Sequence, residues 1–507
     1  MPIDDVFSGE SLQRAVRRGT GALVVAQIVS QLISVLSLAV LFRLIAPDQY
    51  GLLGMVIPVL MFVRIFATLG LHVSTVQRKR LTSSELSGLF WLQIVLGFVT
   101  AAVTAMMAPA VALFYGKREL TAITLALAGT SVASALGSHH QALMERQLKL
   151  GRLALARIVG QLGGASLAIA AAWAGWNVWA LVIQQYVELC ILAMTAWFLE
   201  PWRPQRPRLS ISLRPHLRLG GYFAASSVMF FLATNLDKVL VGRLQGEHAL
   251  GLYSQAFNLM IRPVYLVTTP LTGVILASLS RTAHEPAARE ELLERFYRMV
   301  AIVLFPTGIG LFLVGNEGMQ LLGGSDWRQA GPILQALSLA IVAQGFVHIA
   351  FPVFSAAGRT DRLFYSTVAM TLILIPVYLA GNWFGRHYNN PPLGVAYAYS
   401  AAMITLLCVP VSSYCLRSSG YAIRPVAVAV FRPLLCALAM GMIVWATDRV
   451  LAHSTPQIVR LCADVGVGVL VYGLLARGDV VWLRRQWREG EEETGRGEEE
   501  SGRGGEL

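Results

Sequence analysis

Charge is scarce in this chain. Only 14% of its 507 residues are Asp, Glu, Lys or Arg, against about 25% in an average soluble domain. Hydrophobic residues make up 55%, and the mean hydropathy is +0.58. This balance excludes the roughly three soluble domains that the length would otherwise allow. Cysteine is sparse too. Cys190, Cys408, Cys415, Cys436 and Cys462 all fall in or beside apolar runs, with no CxxC pair and no Cys/His group. Neither a zinc site nor a disulfide framework is indicated, and the cysteines read as small buried hydrophobes. No metal or other cofactor is expected. Catalytic signatures are missing as well: there is no GxSxG, HExxH, P-loop, or GxGxxG in a strand–helix setting. The chain does not read as an enzyme, and without an ATP site any work it does must draw on gradients or on consumption of a product.

What the chain does contain is apolar runs of about 20 residues from end to end, each long enough to cross a bilayer core of about 30 Å. The fold class is all-α, a polytopic membrane protein of about 14 transmembrane helices in two six-helix bundles related by a parallel repeat, plus two extra C-terminal helices. A cytoplasmic segment at 1–19 precedes a first bundle at 20–199. The first apolar run is too long for a signal-peptide core and has no clear cleavage site, so it stays as a membrane helix. A basic, proline-rich linker occupies 200–218, where proline stops helix propagation. The second bundle covers 219–416 and the two additional helices 417–483. The Glu/Gly/Arg tail at 484–507 cannot bury a core and should be disordered.

The net charge of +12 could suggest nucleic acid, but its distribution points elsewhere. With a cytoplasmic N-terminus, 28 of the 41 Lys and Arg residues fall in inner segments and 7 in outer ones. That bias alternates loop by loop, the positive-inside pattern. Both termini are then cytoplasmic, the location is a bacterial inner membrane, and no nucleic-acid partner is needed. Trp173, Trp176, Trp179, Trp327, Trp383 and Trp445 cluster at outer ends, as interfacial anchors do; stacking on sugar rings is the other use such residues could have. The outer loops are short, leaving little room for the outward catalytic loop of a glycan polymerase or ligase.

The halves echo each other. Arg43, Leu44, Gly51 and Leu52 recur as Arg243, Leu244, Gly251 and Leu252. A parallel repeat of this kind puts the substrate at the interface of two bundles that rock to alternate access. Polar residues inside the spans mark the candidate surface. Gln27, Gln31 and Ser34 share one helix face with Ser30 and Ser37. Ser227, Thr234, Asn235 and Lys238 continue the pattern in the second half. Serine and threonine also serve helix packing, so their hydroxyls carry both readings.

Charged residues within spans are costly and usually have a task. Arg64 lies near the middle of its span, and Arg262 sits two positions from its equivalent in the repeat. A guanidinium fork suits phosphate better than a lysine's point charge does. The pair therefore reads as a clamp for an anionic group crossing the membrane. The structural alternative is an arginine paired with Glu188 or with helix-end carbonyls. Glu188 itself could carry a coupling proton or neutralise an arginine, and Asp237 could do the same or pair locally with Lys238. His139, His140 and His348 are read as packing residues.

With these residues in view, the segment NLDKVLVGRLQGEHALGLYSQAFNLMIRP, the segment LFRLIAPDQYGLLGMV and the GRTDR loop resemble the polysaccharide transporter family. More narrowly, they are similar to the colanic-acid-type flippases of the multidrug/oligosaccharidyl-lipid/polysaccharide exporter superfamily, over about residues 15–480. The acidic tail is not part of that pattern. The resemblance implies a flippase moving undecaprenyl-pyrophosphate-linked oligosaccharide repeat units from the cytoplasmic to the periplasmic leaflet for exopolysaccharide or lipopolysaccharide biosynthesis. Arg64 and Arg262 would hold the pyrophosphate, and the Gln, Asn and Ser groups would face the glycan. Its partners would be the lipid-linked oligosaccharide and membrane lipid, with a polysaccharide polymerase and chain-length machinery as further candidates. The alternatives are a cation-coupled multidrug exporter, disfavoured by the two extra spans, and a peptidoglycan-precursor flippase.

Overall fold

The computed structural model describes residues 9–68, 82–205, 214–282, 286–418, 420–451, 456–479 and 481–482. The basic group at 78–80 and the tail at 484–507 lie outside the described residues. All regular structure among the described residues is helical. Twelve helices are long and apolar enough to cross a membrane, or thirteen if one bent pair counts as a single crossing. The sequence reading of about fourteen exceeds this, and with the bent pair counted as one crossing the remaining difference falls on one stretch. Thr234–Leu276 forms a continuous candidate span of 43 residues. At about 1.5 Å per residue it would run about 65 Å, twice the hydrocarbon thickness. It is interrupted at Gly246, where φ is 88° and ψ is −176°, a backbone region that essentially only glycine enters.

The chain forms two compact units. The first comprises Met1–Ser254 with Leu322–Trp327, and the second Gln255–Leu321 with Arg328–Leu507. The first unit holds α1 (Gly9–Leu44), α2 (Pro47–Thr68), α3 (Ser83–Tyr115), α4 (Glu119–Ala128), α5 (Thr130–Arg146), α6 (Leu150–Trp173), α7 (Val178–Leu199) and the early part of α8 (Arg214–Arg281). Helix α3 starts on a capping box, in which the Thr82 side chain accepts from Glu85 N and Glu85 accepts from Thr82 N. It ends at Gly116, whose φ of 71° provides the left-handed C-cap. Helices here approach through small residues. A Cβ added at Gly160 or Gly164 of α6 would come within 2.9 Å of α7 backbone carbonyls, and one at Gly137 of α5 within 2.9 Å of Ala193. Such contacts replace a hydrophobic driving force that lipid does not supply. Several large apolar side chains point outward: Leu113, Trp173 and Phe198 are 82%, 84% and 85% exposed.

The linker does not leave the bundle at once. Gln205 N donates to Ser87 Oγ at 3.0 Å, and Trp91 Nε1 donates to Gln205 O at 2.9 Å. Buried Glu200 pairs with Lys149 at 2.9 Å. These contacts dock residues 200–205 on the start of α3 and on the α5–α6 turn, while 206–213 lie outside the described residues.

The second unit continues with α9 (Pro286–Gly323), the pair α10 (Ala330–Ser338) and α11 (Ile341–Ala356) bent by 52°, α12 (Thr360–His387), α13 (Pro391–Ala402), α14 (Val409–Ser418), α15 (Ile423–Leu451) and α16 (Gln457–Leu475). Helices α12 and α13 close on each other at Gly381, Gly385 and Gly394, where a side chain would meet backbone. Fully buried Asp479 pairs with Arg298 of α9 and Arg432 of α15, and Arg298 also lies over the Trp482 ring.

One tryptophan departs from its expected role. Trp327 is not at an interface. It is fully buried in the first unit, stacked on Phe42 at 3.9 Å, edge-on to Tyr50, and donates from Nε1 to Phe42 O at 2.8 Å. The other tryptophans expected at outer ends, from Trp173 to Trp445, are between 42% and 84% exposed.

Candidate functional site

The repeat has a physical centre in the first unit. Asp48 Oδ1 and His248 Nδ1 lie 2.8 Å apart, and the two residues are 200 positions apart in the chain. Two reciprocal contacts flank them. A Cβ on Gly51 would overlap the carbonyl of Glu247, and one on Gly251 would overlap the carbonyl of Pro47. Each glycine thus faces the backbone at the start of the other repeat segment. The helix starts at 47–54 and 247–254 cross backbone to backbone in a two-fold manner. The Gly246 break lets α8 turn into this crossing, and Lys117 pairs with Glu247 beside it.

Arg64 lies on α2, further along from this crossing. It is half-buried, and its Nη2 donates to Ser134 Oγ on α5 at 2.7 Å. No carboxylate neutralises it among the described residues, and Glu188 is not its partner. Glu188 packs on α6, with its Cβ beside Gly164 and its carbonyl beside Gly160.

The polar stripe of α1 divides. Gln161 of α6 accepts from Ser30 Oγ at 2.6 Å, and its Nε2 donates to Ser30 O at 3.0 Å and to Ser34 Oγ at 2.7 Å. Ser34 therefore has a helix-packing partner. Gln27 is exposed and Gln31 half-buried. On α8, Asn235 is buried and donates to Phe231 O and Thr234 Oγ1 at 3.2 and 3.1 Å. The side chain of Ser227 lies outside the described residues. Asp237 is 1% exposed. It accepts from the Tyr253 hydroxyl at 3.1 Å, while its Oδ1 has no hydrogen-bond partner among the described residues. Lys238 is half-buried. A buried carboxylate with half its acceptors idle is costly to hold.

Arg262 belongs to the second unit. It is half-buried, and its Nη1 is closed off from solvent with no hydrogen-bond partner among the described residues. One helical turn on is Tyr265, whose ring meets His348 of α11 edge-on at 5.3 Å. His348 follows Gln344 by one turn, and Gln344 Nε2 donates to the Tyr399 hydroxyl on α13. Tyr399 in turn stacks on Tyr378 and meets Phe257. The unit thus carries a mid-helix cation with aromatic and amide groups on neighbouring helices. The two arginines reside in different units.

Sequence reasoning missed several of these residues. Gln161 sits among Gly160, Gly163 and Gly164, a small-residue pattern that could have marked it as a packing contact. Asp48 and His248 were detectable as equivalents in the repeat register. Ser134, Tyr253 and Tyr399 had no distinguishing signal. Among the described residues no group of three or more His, Cys, Asp or Glu side chains is arranged to hold a metal ion.

Comparison with known proteins bears on this arrangement. Residues 40–332 match the family described as polysaccharide biosynthesis protein. The chain is 26% identical over 418 residues to the teichuronic acid biosynthesis protein TuaB of Bacillus subtilis (strain 168), covering 81% of this chain and 84% of that one. It is 21% identical over 482 residues to the succinoglycan biosynthesis transport protein ExoT of Rhizobium meliloti (strain 1021), covering 91% and 92%. Among solved structures, the lipid II flippase MurJ in an inward closed conformation superposes with a TM-score of 0.71 at 14% identity, covering 91% of this chain and 99% of that one. That likeness establishes a shared fold.

Proposed function

Since this chain belongs to the polysaccharide biosynthesis protein family, we propose that it is the flippase that carries undecaprenyl-pyrophosphate-linked oligosaccharide repeat units from the cytoplasmic to the periplasmic leaflet. It works in the inner membrane with both termini cytoplasmic and makes or breaks no covalent bond. The observation that carries this reading is one mid-helix guanidinium in each unit, Arg64 in the first and Arg262 in the second, that no carboxylate neutralises among the described residues. Taking a cation out of water without a counterion is expensive. A site of that kind is completed by an anion that comes and goes, and a pyrophosphate provides acceptor oxygens for a guanidinium fork.

Energetics favour outward movement. About two negative charges leaving an inside-negative cell gain about 2.3 kcal/mol each per 100 mV, or roughly 4–5 kcal/mol. Gln27, Gln31, Asn235 and Lys238 are the polar groups proposed to meet the sugars. Asp237 and Glu188 are proposed to balance charge as the cargo leaves. The lipid tail stays in the bilayer, and the product passes to a polysaccharide polymerase outside. Reading each side of Gly246 as a separate crossing gives the fourteen spans that this topology needs. The crossing at Gly51 and Gly251 is then at the outer end. It holds that end shut, and release requires the segments at 47–54 and 247–254 to part.

A deletion strain tests the function. It is expected to lose the surface polymer and to accumulate lipid-linked oligosaccharide, both reversed by the intact gene. Unchanged polymer with altered drug sensitivity would instead make the protein a multidrug exporter. Arrested growth with accumulated peptidoglycan precursor would make it a precursor flippase.

A further inference from the structure

The second unit holds a group of charges that the transport reading does not use. It lies where α9, α15 and α16 meet. Arg460 of α16 pairs with Glu317 of α9 at 3.1 Å and with Asp448 of α15 at 3.0 Å. One turn further along α16 is Asp464, which is 5% exposed. Its neighbours are Asp448, whose carboxyl is within hydrogen-bonding reach, then Arg460 and Glu317. Gln457 and Gln320 bridge α16 to α9 beside them at 3.3 Å, and Arg449 is turned onto the Trp445 ring. The inventory facing Asp464 is therefore three acids, counting Asp464 itself, and one arginine.

This arrangement lacks a positive charge. Arg460 is already engaged by Glu317 and Asp448. Asp464 Oδ1 is buried with no hydrogen-bond partner among the described residues, and the carboxyl within reach of its own, that of Asp448, is another acceptor. Two ionised carboxylates cannot hydrogen-bond to each other, because both only accept. If one is protonated, the contact becomes a donor–acceptor bond, as in paired carboxylates that share a proton. Position adds to the demand. Asp464 and Gly468 are the buried residues of α16, a helix otherwise facing outward. An ionised Asp464 would thus sit in the packing seam of a lipid-facing helix. A metal ion does not fit, since these acids are not arranged to ligate one.

We propose that Asp448 and Asp464 form a proton-binding site in which one proton, taken from the aqueous phase, is shared between the two carboxyls while Arg460 and Glu317 fix their positions. Under the topology given above, the site opens toward the outer face. The proton arrives and leaves with no bond broken other than its own, and its binding does not depend on which cargo the protein carries.

Infrared difference spectroscopy of the purified full-length protein in lipid nanodiscs, stepped from alkaline to acid pH, tests this directly. The carbonyl stretch of a protonated carboxylic acid is expected, shifting in deuterated water. It should lose one component in D464N and in D448N while E188Q keeps it. Using two separate variants guards against one failing to fold, and D464E should retain a displaced band. An acid-side carbonyl stretch unchanged in both D464N and D448N would overturn the proposal. So would a component that sodium abolishes at constant pH, which would make the site a sodium site.

Discussion

Gly51→Ala and Gly251→Ala are each expected to lower polymer export by about 5- to 150-fold. A methyl group at either position would lie closer than 3.0 Å to a carbonyl oxygen of the other repeat segment, a separation that real Cβ atoms essentially never show. The obstacle is backbone, so no side-chain rotation relieves it, and the two helix starts must move apart. Overpacking of this kind typically costs about 1–3 kcal/mol, which is about a 5- to 150-fold change in the population of the closed crossing. Because the contact is reciprocal, the two variants should behave alike, and combining them should be less than additive. Gly273→Ala and Gly310→Ala are the controls. Nothing lies within 4 Å of a Cβ at either, and alanine is the better helix former by about 1 kcal/mol. Export by the controls should match that of the unaltered protein, with protein levels checked by immunoblot in every case.

Arg262→Ala should separate function from stability. If the guanidinium awaits an anion, its removal takes away a charge-assisted interaction worth about 1.5–3 kcal/mol, for a 10- to 150-fold loss of export. No partner is stranded by the change, because Nη1 has none among the described residues, and a desolvated charge disappears. Thermal unfolding of the purified variant should therefore be unchanged or shifted upward. A structural arginine would show the opposite, with stability and export falling together. Arg262→Lys should recover only part of the activity, since an ammonium keeps the charge and loses the planar fork. Arg64→Ala should follow the same pattern more mildly in stability, because it leaves only the neutral Ser134 hydroxyl without its bond. Full export by both alanine variants at normal levels would remove the arginines from the mechanism.

How far the sequence could be read depended on the kind of interaction. Membrane helices announce themselves, because each must be about 20 residues long and apolar. The exception was 234–276. There, hydropathy runs on through the turn, and only the backbone at Gly246 marks the break. The arginines stood out because charge is rare in such helices. The partners of the polar stripe did not. That Ser34 is bound to Gln161 depends on which faces of α1 and α6 meet, and helical periodicity alone does not contain that information. Trp327 is the same lesson from the opposite side. Its position near a span end suggested an interface, whereas Phe42 and Tyr50, far away in the chain, enclose it. The repeat was legible as four identities, but its purpose was not. Only the structure reveals that Gly51 and Gly251 each pack against the start of the other segment and that Asp48 meets His248 between them.

The central claim is directional movement of a lipid-linked glycan, and its sidedness can be measured. Spheroplasts of the deletion strain, and of the strain producing the intact protein, can be exposed to a membrane-impermeant glycosidase, after which the lipid-linked oligosaccharide is quantified. The account predicts that in the deletion strain the accumulated oligosaccharide resists digestion until the cells are lysed, and that the intact protein renders it digestible from outside. Oligosaccharide that is already digestible from outside in the deletion strain would contradict the account, because the glycan would then have crossed without this protein.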